Sequence, residues 1–279
     1  MRAFPLLALT LALVLVPAAS GQRHPLVHQS GPLPGRGIHV TAKGAVLIDA
    51  ADGTVLWAKH QHRRLQVAST TKIMTAIVAM ERLLPHDVVT VDRSVRRVAP
   101  IKEGLRPGEK VEAWKLFYGT LLFSGNDSAL ALAIAAGGTR SRFVVLMNEK
   151  ARELDLKETH FRSPSGLIDR DNYSTAWDMA ALARYAMWNP RFRAVVRTRV
   201  KLVPWAPPTY AKEYVNKNHL IGSYPGANGV KTGWTTVAKH CLVASVRRNG
   251  VWLIAVVLGA DDSYGDAKKL FAYGFATRG

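Results

Sequence analysis

The chain has 279 residues, of which 48% are hydrophobic, so it is long enough to bury one sizeable core. Its formal net charge is +18, but the basic residues are scattered and accompany no nucleic-acid-binding motif, which argues against nucleic acid as the partner. Such a charge instead favours long-range attraction to an acidic surface.

The N-terminal residues have the pattern of a secretory signal. Arg2 precedes an apolar run over residues 6–16, and Pro17-Ala18-Ala19-Ser20 follows it, so we predict a signal peptide over residues 1–20. The run is shorter than a membrane span needs, although an uncleaved anchor is the alternative. Residues 21–37 are rich in Pro, Gly and His and are predicted to be a flexible leader. Residues 38–279 are then predicted to form one folded domain.

Two strands and a helix are predicted next. Residues 45–48 and 55–57 have strand composition, and Asp52-Gly53 between them is typical of a hairpin turn. An amphipathic helix begins at Ser69, and Pro85 ends it because proline cannot continue a helix interior. Its predicted apolar stripe consists of Ile73, Ile77, Met80 and Leu84.

A mostly helical middle leads to a final hairpin. Residues 111–123 form an apolar helical run, and two amphipathic helices follow, the second with a capping box formed by Thr175 and Asp178. Strands over residues 241–246 and 251–258 flank Asn249-Gly250, and a last helix spans residues 266–275. The apolar stripes are Phe143, Leu146, Met147, Ala151 and Leu154 in the first helix and Met179, Leu182, Ala183 and Ala186 in the second. Strands at both ends around helices predict an α/β (α+β) fold in which the terminal strands close one antiparallel sheet.

The single cysteine and the nine histidines offer no further chemistry. Cys241 begins an apolar run, so we interpret it as a small buried residue and not as a catalytic thiol. One cysteine also excludes an intrachain disulfide. The histidines are dispersed without zinc-ligand spacing, so no metal is predicted.

Three polar motifs each occur once, in the order Ser69-Thr70-Thr71-Lys72, Ser124-Gly125-Asn126 and Lys231-Thr232-Gly233. Ser69 and Lys72 are three residues apart, so they share one face of a helix. A serine hydroxyl needs an adjacent base, and a lysine amine can be that base only when it is neutral. Burial and a second positive charge both lower a lysine pKa, and Lys231 is the candidate for that charge. The motifs therefore predict a serine acyl-transfer site without histidine or aspartate.

The remaining motif residues supply groups that such a reaction needs. The Ser124 hydroxyl can pass a proton between Lys72 and a leaving amine. Asn126 can bind a substrate amide and steady Lys72. Lys231 and Thr232 offer a cation and a hydroxyl suited to a free carboxylate. Glycines at positions 229 and 233 would let a substrate backbone lie close to an exposed strand.

The motifs, in this order, resemble those of the D-alanyl-D-alanine peptidases of the penicillin-binding family. The likeness covers roughly residues 37–275. Where related sequences often have Ala-Gly, this chain has Ala238-Lys239-His240, which leaves the local backbone shape open. Three further segments carry the likeness, Gly104-Leu105-Arg106-Pro107-Gly108-Glu109, Ser163-Pro164-Ser165-Gly166-Leu167 and Asn216-Lys217-Asn218-His219-Leu220.

The resemblance implies a sheet flanked by helices, with a helical subdomain forming the other wall of the cleft. It implies that Ser69 lies at the N-terminus of a buried helix and that the backbone N–H groups of Ser69 and Trp234 form an oxyanion hole. Gly233 and Trp234 then join Asn126, Lys231 and Thr232 as substrate-binding residues. No cofactor is implied.

The implied activity is that of a serine-type D-Ala-D-Ala carboxypeptidase, which trims peptidoglycan stem peptides through an acyl-enzyme and is acylated by β-lactams. We accordingly predict an exported enzyme of the periplasm or extracytoplasmic envelope that acts in cell wall biogenesis. Because the chain stops soon after its last core helix, no stable membrane anchor is predicted.

Three alternatives remain open. An endopeptidase that cuts peptidoglycan cross-links would use the same residues. A class A β-lactamase would use a glutamate to activate water, and no glutamate precedes a Leu-Asn pair between the second and third motifs. A wall-binding module that has kept the fold without catalysis is the alternative from a different class.

Overall fold

A five-stranded antiparallel sheet joins the first and the last strands of the described chain, as the sequence predicts. The computed structural model describes residues 26–31, 37–167, 171–205 and 210–278, so the predicted signal peptide lies outside the described residues. The strand order in the sheet is β2-β1-β9-β8-β7, and two hairpins, β3–β4 and β5–β6, lie apart from it. The strands are β1 (Gly44–Asp49), β2 (Val55–Lys59), β3 (Val88–Thr90), β4 (Lys110–Glu112), β5 (Val200–Val203), β6 (Lys212–Val215), β7 (Ala227–Thr235), β8 (Lys239–Arg248) and β9 (Val251–Ala260).

Helices cover both faces of this sheet. Helix α5 packs on one face and α7 on the other, while α2, α3 and α4 form a helical group that contacts α1. In the described part of the chain no single helix is long and apolar enough to cross a membrane. Helices α3 and α4 together reach the necessary length and composition, but they meet at an angle of 83°. The helices are α1 (Lys72–Met80), α2 (Ala113–Tyr118), α3 (Asn126–Gly137), α4 (Arg140–Glu153), α5 (Ala176–Trp188), α6 (Pro190–Val196) and α7 (Ser263–Arg278).

The central strand β9 is buried on both faces, which explains its continuous apolar run. Ile254 and Val256 pack into the core on the α5 side, whereas Leu253 and Val257 pack under α7. Fully burying one such aliphatic side chain stabilises a fold by about 1.5–3 kcal/mol. The two cores therefore cover the sheet on both faces, and β7 lies at its edge, where it pairs only with β8 among the described strands.

Two predicted helices have different bounds in the structure. Helix α1 ends at Met80, so Leu84 leaves its apolar stripe and is 67% exposed. Val111 lies in β4, paired with Val89, and the helix begins only at Ala113. The sequence prediction was wrong here because a three-residue strand is too short to show its period of two. The same shortness hid the β3–β4 and β5–β6 hairpins.

The predicted capping box is half formed. The Thr175 hydroxyl accepts the Asp178 N–H at 3.0 Å, as predicted. The Asp178 carboxylate does not return to Thr175 but accepts from Glu158 N and Thr159 Oγ1, at 2.9 and 2.7 Å. Asp178 therefore ties α5 to the preceding loop. The last helix also begins earlier than predicted, at Ser263.

Part of the predicted leader, residues 26–31, lies against the β1–β2 turn. His28 N donates to Gly53 O at 3.0 Å, and Val55 N donates to His28 O at 2.9 Å. Arg184, on α5, donates from Nη1 to Leu26 O at 3.0 Å. These bonds attach the segment to both the sheet and α5.

Asp266 joins the first turn of α7 to the segment before β1. Its buried carboxylate accepts from Thr41 N, Thr41 Oγ1 and Ala42 N at 3.0, 2.8 and 2.9 Å. Losing a buried charged acceptor costs about 2–4 kcal/mol. We expect Asp266→Ala to lower the free energy of unfolding in urea by about that amount, whereas Asp261→Ala, on the exposed turn, serves as the control. Equal stability of both variants would contradict this role.

Candidate active site

Ser69 lies on a 3-10 turn, Ala68–Thr71, that leads directly into α1. Ala68 adopts a left-handed conformation with φ +46°, which turns the chain sharply before the helix. The Ser69 side chain faces a cleft, and the residue is largely buried. The prediction that Ser69 begins the helix is therefore correct to within one turn.

Lys72 is fully buried and links two of the three motifs. Its Nζ lies 2.9 Å from Ser69 Oγ and 2.8 Å from Asn126 Oδ1. The Ser165 carbonyl lies 3.4 Å away, which is a longer contact. Since a neutral amine can accept a hydrogen bond from a hydroxyl, the 2.9 Å separation suits proton transfer from Ser69.

Positive charges in the cleft act on one another through low-dielectric surroundings. Burial, then Lys231 and then Lys217 hold the pKa of Lys72 well below its ordinary value, and Asp127 opposes them. Burial and Lys217 together lower the pKa of Lys231 to about 7. Lys231 thus supplies the second charge that the sequence predicts. Lys217 adds a third cation, which the site prediction missed.

Asn126 is held in one orientation by the backbone of the preceding loop. Its Nδ2 group donates to Pro100 O at 2.7 Å and to Ala99 O at 3.2 Å, so Oδ1 points at Lys72. Both amide hydrogens are used in this way, which leaves only Oδ1 to accept from a substrate N–H. Ser124 precedes it in a left-handed conformation, φ +70°, after a π-helical turn over Gly119–Phe123.

The third motif lies on the free edge of β7. A Cβ added to Gly233 would lie 2.9 Å from Ser69 N and 3.1 Å from Ala68 Cβ, so only glycine allows β7 to approach the nucleophile this closely. Trp234 is 57% exposed, and Lys231 is fully buried. An unpaired strand edge beside Ser69 can take an extended peptide as an added strand.

These elements enclose a cleft of about 860 Å³. All three motifs contribute to its lining, through Ser69, Ser124 and Thr232. His240, from the segment Ala238-Lys239-His240 in which this chain differs from related sequences, also lines the cleft. Among the described residues no group of His, Cys, Asp or Glu could hold a metal ion. Cys241 is buried, and burial raises the pKa of its thiol to about 11, in keeping with the predicted structural role.

Two contacts of the site lay in segments that the sequence analysis singled out without assigning them roles. Asn218 Nδ2 donates to Gly229 O at 2.8 Å, and Tyr264 Oη donates to Lys217 O at 2.9 Å, which together hold Lys217 at the cleft. Gly166 lets Ser165 reach Lys72, since a Cβ there would lie 2.1 Å from Ala68 O. Both segments resemble segments of the penicillin-binding family, and this resemblance is the sequence feature that could have pointed to Lys217 and Ser165.

The structure brings the three motifs together around a contact between Ser69 and Lys72, as a serine acyl-transfer site requires. A family profile described as D-alanyl-D-alanine carboxypeptidase, peptidase S11, matches residues 29–262. The chain belongs to this family of serine hydrolases, which confirms the predicted resemblance.

Individual relatives agree. DacF, a D-alanyl-D-alanine carboxypeptidase of Bacillus subtilis, is 37% identical over 78% of this chain, which spans only 57% of that protein. The D-alanyl-D-alanine carboxypeptidase of Streptomyces sp. strain K15 is 36% identical over 85% of this chain and 88% of its own.

Solved structures share the fold. The Streptomyces K15 DD-transpeptidase aligns with a TM-score of 0.80 at 34% identity, over 86% of this chain and 99% of that one. A penicillin-binding protein homologue from Mycobacterium tuberculosis aligns with a TM-score of 0.82 at 30% identity, over 88% and 96%. The predicted antiparallel sheet with flanking helices and a helical subdomain is thereby confirmed.

Gly233→Ala should displace β7 from Ser69 while the protein still folds. A shift of about 1 Å in a reacting group can cost on the order of 100-fold in rate. We expect acylation of Ser69 by benzylpenicillin, followed by intact-mass spectrometry, to slow at least tenfold. Gly31→Ala, where a Cβ meets nothing within 4 Å, is the matched control. Unchanged acylation of the Gly233 variant would show that the close approach is dispensable.

Proposed function

We propose that this protein is a serine D-Ala-D-Ala carboxypeptidase that trims peptidoglycan stem peptides through an acyl-enzyme. The observation that carries the proposal is the contact of Lys72 Nζ with both Ser69 Oγ and Asn126 Oδ1. Membership of the carboxypeptidase family supports the choice of substrate. Because the chain spans little more than half of some relatives, we propose the activity for the domain that the chain contains.

In the first half-reaction Ser69 Oγ attacks the carbonyl carbon of the penultimate D-alanine. Its proton passes to Lys72 Nζ as the Oγ–C bond forms, and the oxyanion accepts hydrogen bonds from the N–H groups of Ser69 and Trp234. Removing one such donor typically raises the barrier by about 3 kcal/mol. The C–N bond then breaks, and a proton moves from Lys72 through the Ser124 hydroxyl to the departing amine.

In the second half-reaction water attacks the ester carbon and returns the proton to Ser69 Oγ. Lys72 again takes and gives the proton, so the enzyme ends in its starting state. None of the described residues that line the cleft is an aspartate or a glutamate. This favours a peptidase over a β-lactamase that activates water with a glutamate.

The terminal carboxylate would bind among Lys231, Lys217 and Thr232. No acidic side chain forms an ion pair with either lysine in the described structure. A bound carboxylate favours the charged form of a neighbouring amine. Substrate binding would therefore favour the charged form of Lys231, whose pKa burial and Lys217 lower to about 7.

A second function, transfer of the acyl group to an amine, also has support. The Streptomyces K15 relative is named as a carboxypeptidase, whereas its structures are named as a DD-transpeptidase. The two reactions share the acyl-enzyme and differ in whether water or an amine accepts the acyl group. A cross-link endopeptidase differs instead in what the cleft admits beyond the scissile bond.

We further propose that the enzyme acts outside the cytoplasm, at the cell envelope. The predicted signal peptide over residues 1–20 and the wall-directed family support this location. The net charge of +18 would draw the enzyme to anionic wall polymers. Fractionation of cells that express the full chain tests the proposal, with recovery in the cytoplasm as the contrary result.

The activity is tested with a soluble pentapeptide ending in D-Ala-D-Ala. We expect the wild-type protein to release D-alanine and to be labelled by benzylpenicillin, and Ser69→Ala to do neither. Lys72→Ala should lose a comparable amount, because residues that act as one unit are not additive. An added amine acceptor and a cross-linked muropeptide distinguish the transpeptidase and the endopeptidase by their products. If the folded wild type neither releases D-alanine nor binds penicillin, the proposal fails.

Lys217→Gln tests the cationic cluster. Lys217 lowers the pKa of both Lys72 and Lys231. Activity requires Lys72 to be neutral, which sets the acidic limb of the pH profile of kcat/KM, and Lys231 to be charged, which sets the alkaline limb. Loss of Lys217 should therefore move both limbs to higher pH. Loss of one charged contact to the carboxylate should raise KM roughly tenfold. Lys157→Gln, at an exposed position, is the control. If the pH profile of Lys217→Gln coincides with that of the wild type, Lys217 has no role in the site.

A further inference from the structure

Glu103 is a buried acid that the reaction described above does not use. It lies in the loop before β4, and its side chain is only 1% exposed. The backbone N–H groups of Glu103 and Gly104 donate to the Asp127 carboxylate, both at 2.9 Å. Asp127 follows Asn126 directly, so this loop is attached to the second motif.

The Glu103 carboxyl group lies behind the bend that carries Ser124. A Cβ added to Gly119 would lie 1.7 Å from Glu103 Oε1, and one added to Gly125 would lie 2.8 Å from it. Gly125 N donates to Gly119 O at 2.9 Å, which closes the bend between them. The carboxyl group therefore contacts both ends of the bend.

Two hydroxyl groups fix the carboxyl group from other elements. The Ser128 hydroxyl, in the first turn of α3, forms a hydrogen bond with Oε1, and the Tyr214 hydroxyl, on β6, forms one with Oε2. Lys212, also on β6, has its Nζ 3.1 Å from the Glu103 carbonyl oxygen and 3.8 Å from Oε2. Glu103 thus connects α3 and the β5–β6 hairpin to the bend between Gly119 and Gly125.

We propose that Glu103 is a positioning residue of the reaction, because its side chain braces the bend from Gly119 to Gly125 and thereby sets where Ser124 Oγ and the Asn126 amide lie. The inference rests on the proposed function. Glu103 does not reach the cleft, so it acts only through these two residues.

The charge state of Glu103 follows from its surroundings. Burial raises its pKa to about 8, and the carboxylates of Asp127 and Glu109 add to this, whereas the Tyr214 hydrogen bond and Lys212 oppose it. At neutral pH the side chain is therefore an uncharged acid that both donates and accepts hydrogen bonds. Above pH 8 it ionises beside Asp127, and the brace loosens.

The test compares Glu103→Ala and Glu103→Gln with the exposed Glu149→Gln as control. We expect Glu103→Ala to lower kcat for a D-Ala-D-Ala pentapeptide at least tenfold with KM changed less than threefold. Glutamine has the shape of the uncharged acid, so Glu103→Gln should restore most of kcat at pH 7. At saturating substrate it should also keep its kcat above pH 8, where that of the wild type falls.

Several results would overturn the proposal. One is a folded Glu103→Ala variant with wild-type kcat, and another is a Glu103→Gln variant with the same alkaline limb of kcat as wild type. If Glu103→Ala fails to fold, the pH profile of Glu103→Gln decides alone. Absence of D-alanine release by the wild type would be a failure of the proposed function instead, and the variants are then compared by the rate of Ser69 acylation by penicillin.

Discussion

The site depends on one interaction, the contact of the Lys72 amine with Ser69 Oγ at 2.9 Å beside a cationic cleft. A protonated amine could not take the serine proton, so the fold must keep this amine neutral. Complete burial of Lys72 and the nearby charges of Lys231 and Lys217 hold its pKa well below the ordinary lysine value, which favours the neutral amine. Asn126 then directs the amine toward Ser69, since its own amide hydrogens are used by backbone carbonyls.

This arrangement costs stability. Lys231 has a pKa of about 7 in the folded protein and about 10.4 in an unfolded chain, so the native state binds fewer protons between these values. Stability linked to this group therefore rises with pH from about 7 to about 10.4 and is lowest below pH 7. The doubly covered sheet supplies the compensating free energy, because β9 is buried on both faces.

Much of the site could be predicted from sequence because its central contact is local. Ser69 and Lys72 are one turn apart, so their spacing alone places them together. The antiparallel sheet was equally predictable, from long apolar strands and the Asn249-Gly250 turn. By contrast, Lys217 and Glu103 reach the site only through tertiary contacts, Lys217 through Tyr264 and Glu103 through Asp127. No periodicity or spacing carries that information.

The role of Lys72 as a neutral base is tested most directly by measuring the pKa of its amine. Protein labelled with 15N-lysine can be titrated by NMR, with Lys72→Ala to assign the Nζ signal. We predict that Lys72 titrates well below the ordinary lysine value of about 10.4 and that Lys231 titrates near 7. A Lys72 amine that stays protonated to pH 10 would contradict this prediction, because no neutral base would then stand beside Ser69.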